Sequence, residues 1–208
     1  MLSINENGLY CKKGNFYIDP FRSVENAVIT HGHADHARWG MGHYFATPAT
    51  CDIMNVRLGS DYQYSQFNYD SPFQLGDVEI TFIPAGHILG SAQVIINDGK
   101  QTAIVTGDFK TTLDPTVDQF KFSTCDLLVM ETTFALPIYH WPDPKDVFFD
   151  IHKFWQQNQT KGHHTVLYAY SLGKAQRLVN GLDSNQGPIA VHPAVDKMNQ
   201  IYKNYNKL

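Results

Sequence analysis

The segment His31-Gly32-His33-Ala34-Asp35-His36 places four metal-capable side chains directly after the apolar run Ala27-Val28-Ile29-Thr30. In an extended backbone, residues two apart share a face, so His31 and His33 can aim at one point. The chain must turn after His33, which lets Asp35 and His36 aim at a second point nearby. Imidazole nitrogen and carboxylate oxygen both bind zinc at roughly 2.0–2.2 Å. Gly32 and Ala34 leave room for that approach. A segment of this kind constrains the fold strongly: the strand before it must end at an edge where other strands can deliver further donors.

Three more donors have the same context. Asp19 ends the strand-like run Phe16-Tyr17-Ile18. His87 follows the run Val78 to Ile83 through Pro84-Ala85-Gly86. Asp108 follows the run Thr102 to Thr106 through Gly107. A histidine after a strand is more often a capping or packing residue, so His87 and Asp108 would carry little weight alone. Beside the motif they complete a donor set of His31, His33, Asp35, His36, His87 and Asp108. Such a set suits two ions roughly 3.5–4 Å apart that share a carboxylate and activate a water for hydrolysis. Asp108 is the natural bridge, and Asp19 is placed to orient a ligand histidine. His43, His140, His152 and His163-His164 lack this context and are read as surface or packing residues; His192 is ambiguous.

Around these donors the first half is a series of short strands between Gly, Pro and Asn punctuation. Ala92 to Ile96 and Thr102 to Thr106 flank Asp98-Gly99, a hairpin signal. Thr47-Pro48 and Asp143-Pro144 are N-cap and first-turn proline pairs that open helices, with stops expected at Gly59 and Gly162. A third helix is expected from Ser171, a strand over Pro188 to Val191, and a polar helix from Asp196. The stripe Phe148, Ile151, Phe154, Trp155 is expected in a core, as is Trp39, although Arg38-Trp39 lies beside the metal motif. These patterns divide the chain into a sheet-rich part, 1–140, and an α/β segment, 141–208. With 43% hydrophobic and 17% charged residues the chain reads as a soluble globular protein. Its net charge of −4 argues against a nonspecific nucleic-acid coat. No apolar run approaches the roughly 18 residues of a membrane span. The first residues lack a secretory pattern, and three separated cysteines without CxxC exclude a disulfide framework, so a reducing cytoplasm is expected.

The HGHADH segment resembles the signature of the metallo-β-lactamase superfamily, and Asp19, His87 and Asp108 fall where that family has its other motifs. The resemblance implies an α/β (α+β) fold: an αββα sandwich with metals at the strand ends, followed by the beginning of an α/β β-CASP-like domain. Pro84-Ala85-Gly86-His87-Ile88-Leu89-Gly90-Ser91 resembles the corresponding stretch of the β-CASP nucleases. Glu131-Thr132-Thr133-Phe134 is similar to their acidic motif, and Tyr170-Ser171-Leu172-Gly173-Lys174-Ala175-Gln176-Arg177 to the start of their inserted domain. Gly14 to Pro20, Gly107 to Lys110 and Leu136 to Tyr139 most resemble the bacterial ligase-associated DNA exonucleases.

That resemblance implies a metal-dependent phosphodiesterase acting on nucleic acid, specifically a DNA exonuclease in repair. It implies two divalent ions, zinc by ligand set, with manganese also suited to O/N sites. Asp35, Asp108 and Glu131 would carry catalysis. Lys110, Ser171 and Lys174 would contact the nucleic acid, the last two at a helix start that offers free N–H groups. The partners implied are DNA or RNA and an ATP-dependent DNA ligase, with no membrane. The alternatives are an RNA 3′-end processing nuclease, a lactonase- or thioesterase-type hydrolase, and a non-catalytic nucleic-acid binder. Family members run beyond residue 208 and supply one more ligand histidine. Val191-His192-Pro193 does not resemble that segment, so a C-terminally truncated chain is expected.

Overall fold

The computed structural model describes all 208 residues and contains two sheets and four helices. The first sheet has the order β1 (Leu2–Asn5), β2 (Gly8–Cys11), β3 (Phe16–Ile18), β4 (Asn26–Val28), β5 (His43–Ala46), β6 (Tyr64–Gln66). Its first three strands form an antiparallel meander, and β4, β5 and β6 add in parallel. Parallel neighbours need a crossover. Helix α1 (Pro48–Leu58) lies in the β5–β6 crossover, whereas the β4–β5 crossover is the loop that carries His31 to His36.

The second sheet has the order β11 (Leu127–Val129), β10 (Thr102–Val105), β9 (Ala92–Asn97), β8 (Val78–Pro84), β7 (Phe73–Leu75). It is antiparallel except for the β10–β11 pair. The expected hairpin is the β9–β10 pair. Gly99 takes the left-handed φ of +81°, and the Asp98 carboxylate accepts from the N–H groups of Lys100 and Gln101.

The sheets pack face to face. Phe16, Ile18 and Val28 from the first meet Ile80, Phe82, Val94, Ile96 and Val105 from the second in one buried cluster. Strand β8 shows why: Val78, Ile80 and Phe82 alternate inward while Glu79 is exposed. On the outer face of the first sheet, Cys51 and Met54 of α1 cover Ala27, Ile29, Tyr44 and Ala46. Thr47 caps α1, its hydroxyl accepting from Thr50 N–H at 3.3 Å, and Pro48 occupies the first turn.

The remaining helices are α2 (Pro144–Thr160), α3 (Lys174–Gly181) and α4 (Pro193–Asn204). Met198, Ile201 and Tyr202 of α4 join Leu172 in a buried cluster with Ala49 and Ile53 of α1 and with Ile88 and Leu89. Leu89 N–H donates to the Tyr202 hydroxyl at 3.2 Å. This cluster brings residues 172–202 against the loop that contains His87.

The structure corrects several sequence expectations, four of them in residues 144–204. Helix α3 begins at Lys174 rather than Ser171, because the Gln176 side chain takes up Gly173 N–H at 2.7 Å and holds 171–173 as a turn. Helix α4 begins before Asp196: Pro193 starts it, and His192 caps it by accepting from Ala194 N–H at 3.1 Å. Pro188 to Val191 pairs with no strand. Ile189 and Val191 instead face Trp155, Leu167 and Val179 across an apolar cavity of about 780 Å³. Finally, α2 buries none of its stripe. Phe148 rests on Gly181, Trp155 on Gly187, and Phe154 is 53% exposed, because no sheet lies against this helix. No helix is long and apolar enough to cross a membrane.

Candidate metal centre

Strand direction collects the donors. β3 and β4 are parallel, and β8 and β10 are both antiparallel to β9, so the C-terminal ends within each pair share an edge. Asp19 directly follows β3, and Glu131 follows β11. His31, His87 and Asp108 each stand three residues past the end of β4, β8 and β10. Ala92 N–H donates to Thr30 C=O at 2.8 Å and ties the two sheets together at this edge. Gly107, with φ +56°, closes the approach: a Cβ there would lie 2.6 Å from the Thr30 side chain.

His31, His33, His87 and Asp108 bring one ligand atom each to within 4.8 Å of one another, a group that could hold a metal ion. His33 Nδ1 lies 3.1 Å from His31 Nε2 and 3.2 Å from His87 Nε2. Asp108 Oδ2 lies 3.6 Å from His87 Nε2 and 3.9 Å from His31 Nε2. Ligands at 2.0–2.1 Å from a tetrahedral ion are separated by about 3.3 Å, close to these spacings.

The other oxygen of Asp108 faces elsewhere: Oδ1 is 3.4 Å from His36 Nε2, which in turn lies 3.7 Å from Asp35 Oδ2. One carboxylate thus divides two donor groups. Asp19, His31 and His36 form a second overlapping cluster. Within it, His36 Nδ1–H donates to Asp19 Oδ2 at 2.7 Å, leaving Nε2 directed at Asp35 and Asp108.

Hydrogen bonds behind the donors fix which nitrogen of each ring is bare. Thr30 Oγ1–H donates to Asp19 Oδ2 at 2.6 Å, so Thr30 Oγ1 accepts from His31 Nδ1–H at 3.0 Å. His33 Nε2–H donates to Leu172 C=O at 3.3 Å. His31 Nε2 and His33 Nδ1 therefore carry lone pairs that point at each other. Two acceptors in contact cannot hydrogen-bond, and a cation between them resolves the conflict. The donor chemistry accordingly fits a divalent metal.

Charge follows the same division. Burial pushes His31 well below its ordinary value, reinforced by His36, His87 and His33. Burial also lowers His33, and it lowers His87 to about 4 with His33 adding to the effect. These rings are neutral at pH 7, the form that binds metal. His36 differs. Burial would lower it, but hydrogen bonds to Asp108 and Asp19 push it up to about 10. Asp108 is held below the usual carboxylate range, chiefly by its hydrogen bond with His36. Metal uptake at His36 Nε2 must therefore release a proton.

The other expected residues are spread around this centre. Glu131 accepts from Phe109 N–H at 3.5 Å and Thr133 N–H at 3.0 Å, which places it beside the Asp108 loop. Lys110 is not free for a ligand: its ammonium pairs with Asp114 at 2.6 Å, and Arg177 approaches the same carboxylate at 3.6 Å. Ser171 is exposed, and Lys174 Nζ sits 5.0 Å from the Tyr170 ring centroid. Trp39, expected in the core, is 68% exposed.

Three contributors carry no motif of their own: Thr30, the Leu172 carbonyl, and Arg57. The Arg57 guanidinium of α1 donates to Gly32 C=O at 2.7 Å and Ala37 C=O at 3.4 Å and clamps the His31–His36 loop. Thr30 could have been found as the residue preceding the motif. Leu172 lies in the Tyr170 to Arg177 segment, but nothing there marks its carbonyl as a partner of His33, and Arg57 has no sequence signal.

No family model matches the chain. Among curated proteins it is 30% identical over 201 residues to a probable DNA ligase of Opitutus terrae, covering 96% of this chain and 20% of that protein. An alignment of that length takes in every donor from Asp19 to Glu131. The chain belongs to the β-CASP group of the metallo-β-lactamase superfamily. It is also 26% identical to the transcription termination factor FttA of Methanosarcina mazei, over 80% of this chain and 32% of that protein. It spans less than a third of the length of these two curated relatives. Among solved structures, a protein of unknown function from Enterococcus faecalis V583 shares the fold, with TM-score 0.60 and 14% identity over 86% of this chain and 48% of that one.

Proposed function

We propose that this β-CASP chain is a metal-dependent phosphodiesterase that hydrolyses nucleic acid. The observation that carries the reading is the divided carboxylate of Asp108, with Oδ2 toward His31 and His87 and Oδ1 toward His36. His31, His33, His87 and Asp108 would hold one divalent ion, and Asp35, His36 and Asp108 a second, with zinc suited to the nitrogen-rich first group. When bound, such a pair supplies Lewis acidity toward phosphoryl oxygens and water of lowered pKa. The chain's own residues do the rest. Asp19 and Thr30 hold His36 and His31 in orientation. Asp35, 73% exposed, reaches toward solvent and substrate. Glu131, beside the Asp108 loop, accepts or returns a proton at the leaving group. Ser171 and Lys174 lie on the segment whose Leu172 carbonyl touches His33, which favours phosphate contact there.

DNA is the preferred substrate and exonucleolytic repair, alongside an ATP-dependent ligase, the preferred setting. The support is the match to a probable DNA ligase across almost the whole chain. RNA is the second reading, favoured by the likeness to a transcription termination factor. End-labelled single- and double-stranded DNA and RNA, each with zinc or manganese, test both. Cleavage of DNA from one end, abolished by His33→Ala, is expected. Cleavage of RNA alone would favour the second reading, and a chain that cleaves neither but opens lactones or thioesters would overturn both.

A further inference from the structure

Phe21 and Trp39 are 63% and 68% exposed and belong to none of the three buried clusters. Arg38 directly precedes Trp39 in the chain. Its guanidinium carbon lies 5.5 Å from the centroid of the Phe21 ring, and Nη1 donates to Pro20 C=O at 3.4 Å. Phe21 and Arg38 border a cavity of about 300 Å³ whose other walls include Asp19, Asp35 and His36. That volume is at the small end of ligand pockets. The cavity therefore runs from the donors of the second ion site to a rim where the Phe21 ring meets the Arg38 guanidinium, and the exposed Trp39 follows Arg38 in the chain.

Several other aromatic rings of the chain are as exposed, but Phe21 is the one that borders this cavity. Rings with an interleaved guanidinium are the combination that single-stranded nucleic acid requires: bases stack on the rings, and the cation meets a backbone phosphate.

We propose that Phe21, Arg38 and Trp39 form a stacking platform that holds unpaired bases of a nucleic acid beside the metal centre. The platform rests on the nucleic-acid reading above and adds a specificity to it: single strands, or frayed ends, over intact duplex. Arg38 neutralises a phosphate while keeping the Phe21 ring in place. The acidic donors Asp19 and Asp35 at the other end of the cavity repel phosphate, so affinity depends on stacking more than on charge.

The test uses the full chain in EDTA, so that nothing is cleaved. Anisotropy is read on a labelled short single strand, its duplex, and an abasic strand of equal charge. The wild-type chain is expected to prefer the strand that has bases. Trp39→Ala and Phe21→Ala should each weaken that binding by roughly five- to hundredfold while leaving the abasic strand unaffected. Trp39→Phe should retain most of it, and Arg38→Ala should lower the salt slope by about 0.7. Alanine variants that bind as the wild type does, no preference for bases over the abasic strand, or no binding at all would each overturn the platform. A parallel cleavage assay separates the two readings. Cleavage with unaltered variant affinity refutes the platform alone, and base-dependent binding without cleavage refutes the nuclease alone.

Discussion

Asp19 satisfies three groups at once. Its carboxylate accepts from Thr30 N–H, from Thr30 Oγ1–H and from His36 Nδ1–H, at 2.6–2.8 Å. It does so from a left-handed backbone with φ 44°, a conformation that Asp tolerates better than most residues. Asp19→Asn would turn an acceptor oxygen into a donor and loosen both His31 and His36. We expect zinc affinity to fall by about 10- to 100-fold, measured by calorimetric titration, with the fold retained by circular dichroism. Asp114 acts similarly at a distance from the metal. It is buried, takes up Lys110 and both donors of Thr116, and so restrains the residue two past Asp108. Asp114→Ala leaves those donors without an acceptor and should cost about 1–3 kcal/mol in urea unfolding. The candidate donors were legible because histidine and aspartate at strand ends stand out in the sequence. The engagement of Lys110 was not, because the sequence shows a cation after Asp108 but not which carboxylate folds back to meet it.

At the scale of elements, the centre depends on one turn that no donor motif predicts. Residues 171–173 place the Leu172 carbonyl against His33, and Gly173 makes this possible with φ +89°. A Cβ on Gly173 would lie 2.6 Å from the Ile88 side chain. Gly173→Ala should therefore displace the carbonyl, free His33 to rotate, and reduce zinc affinity several-fold. A titration that matches the wild type would remove this turn from the metal site. Among the strands, β8 carries the core most directly, and Phe82→Ala should cost about 3–5 kcal/mol by the same urea measurement. Helix starts were legible where a capping residue precedes proline, at Thr47 and Asp143. His192-Pro193 follows the same rule with an imidazole as acceptor, which is why the sequence placed that helix too late. The stripe on α2 reveals an apolar face, but helical spacing carries no information on what covers it. Strand status over Pro188 to Val191 likewise depends on a neighbour that the local sequence does not contain.

Across the whole molecule, the two sheets bring to one edge side chains from Asp19 to Glu131, more than 100 residues apart in sequence. Burying His31 and partly burying His33 and His87 there has a consequence for stability. In the metal-free chain His31, His33 and His87 sit below their ordinary 6.5 because of burial. As pH falls below 6.5 the unfolded chain binds those protons first, so folding stability falls until His87 protonates near 4. His36 works the other way. Its raised value contributes stability that is complete below 6.5 and is lost as pH rises toward 10. Thermal midpoints of the metal-free chain should therefore decline on both sides of a maximum near 6.5. A midpoint that rose steadily on acidification would contradict three neutral histidines at this edge. The sheet-rich first part and its donor edge could be read from strand-end residues, and the sandwich only from the family resemblance; the exposure of Phe21 and Trp39 could not be read, because exposure is a property of the assembled surface.

The most direct test of the central claim is a metal count on the purified chain and on His33→Ala, by elemental analysis after dialysis against zinc, with cleavage followed on the same samples. Close to two ions per wild-type chain are expected, with loss of both metal and nucleic-acid cleavage in the variant. A wild-type chain that retains no more zinc than His33→Ala would show that the converging lone pairs are not a metal centre.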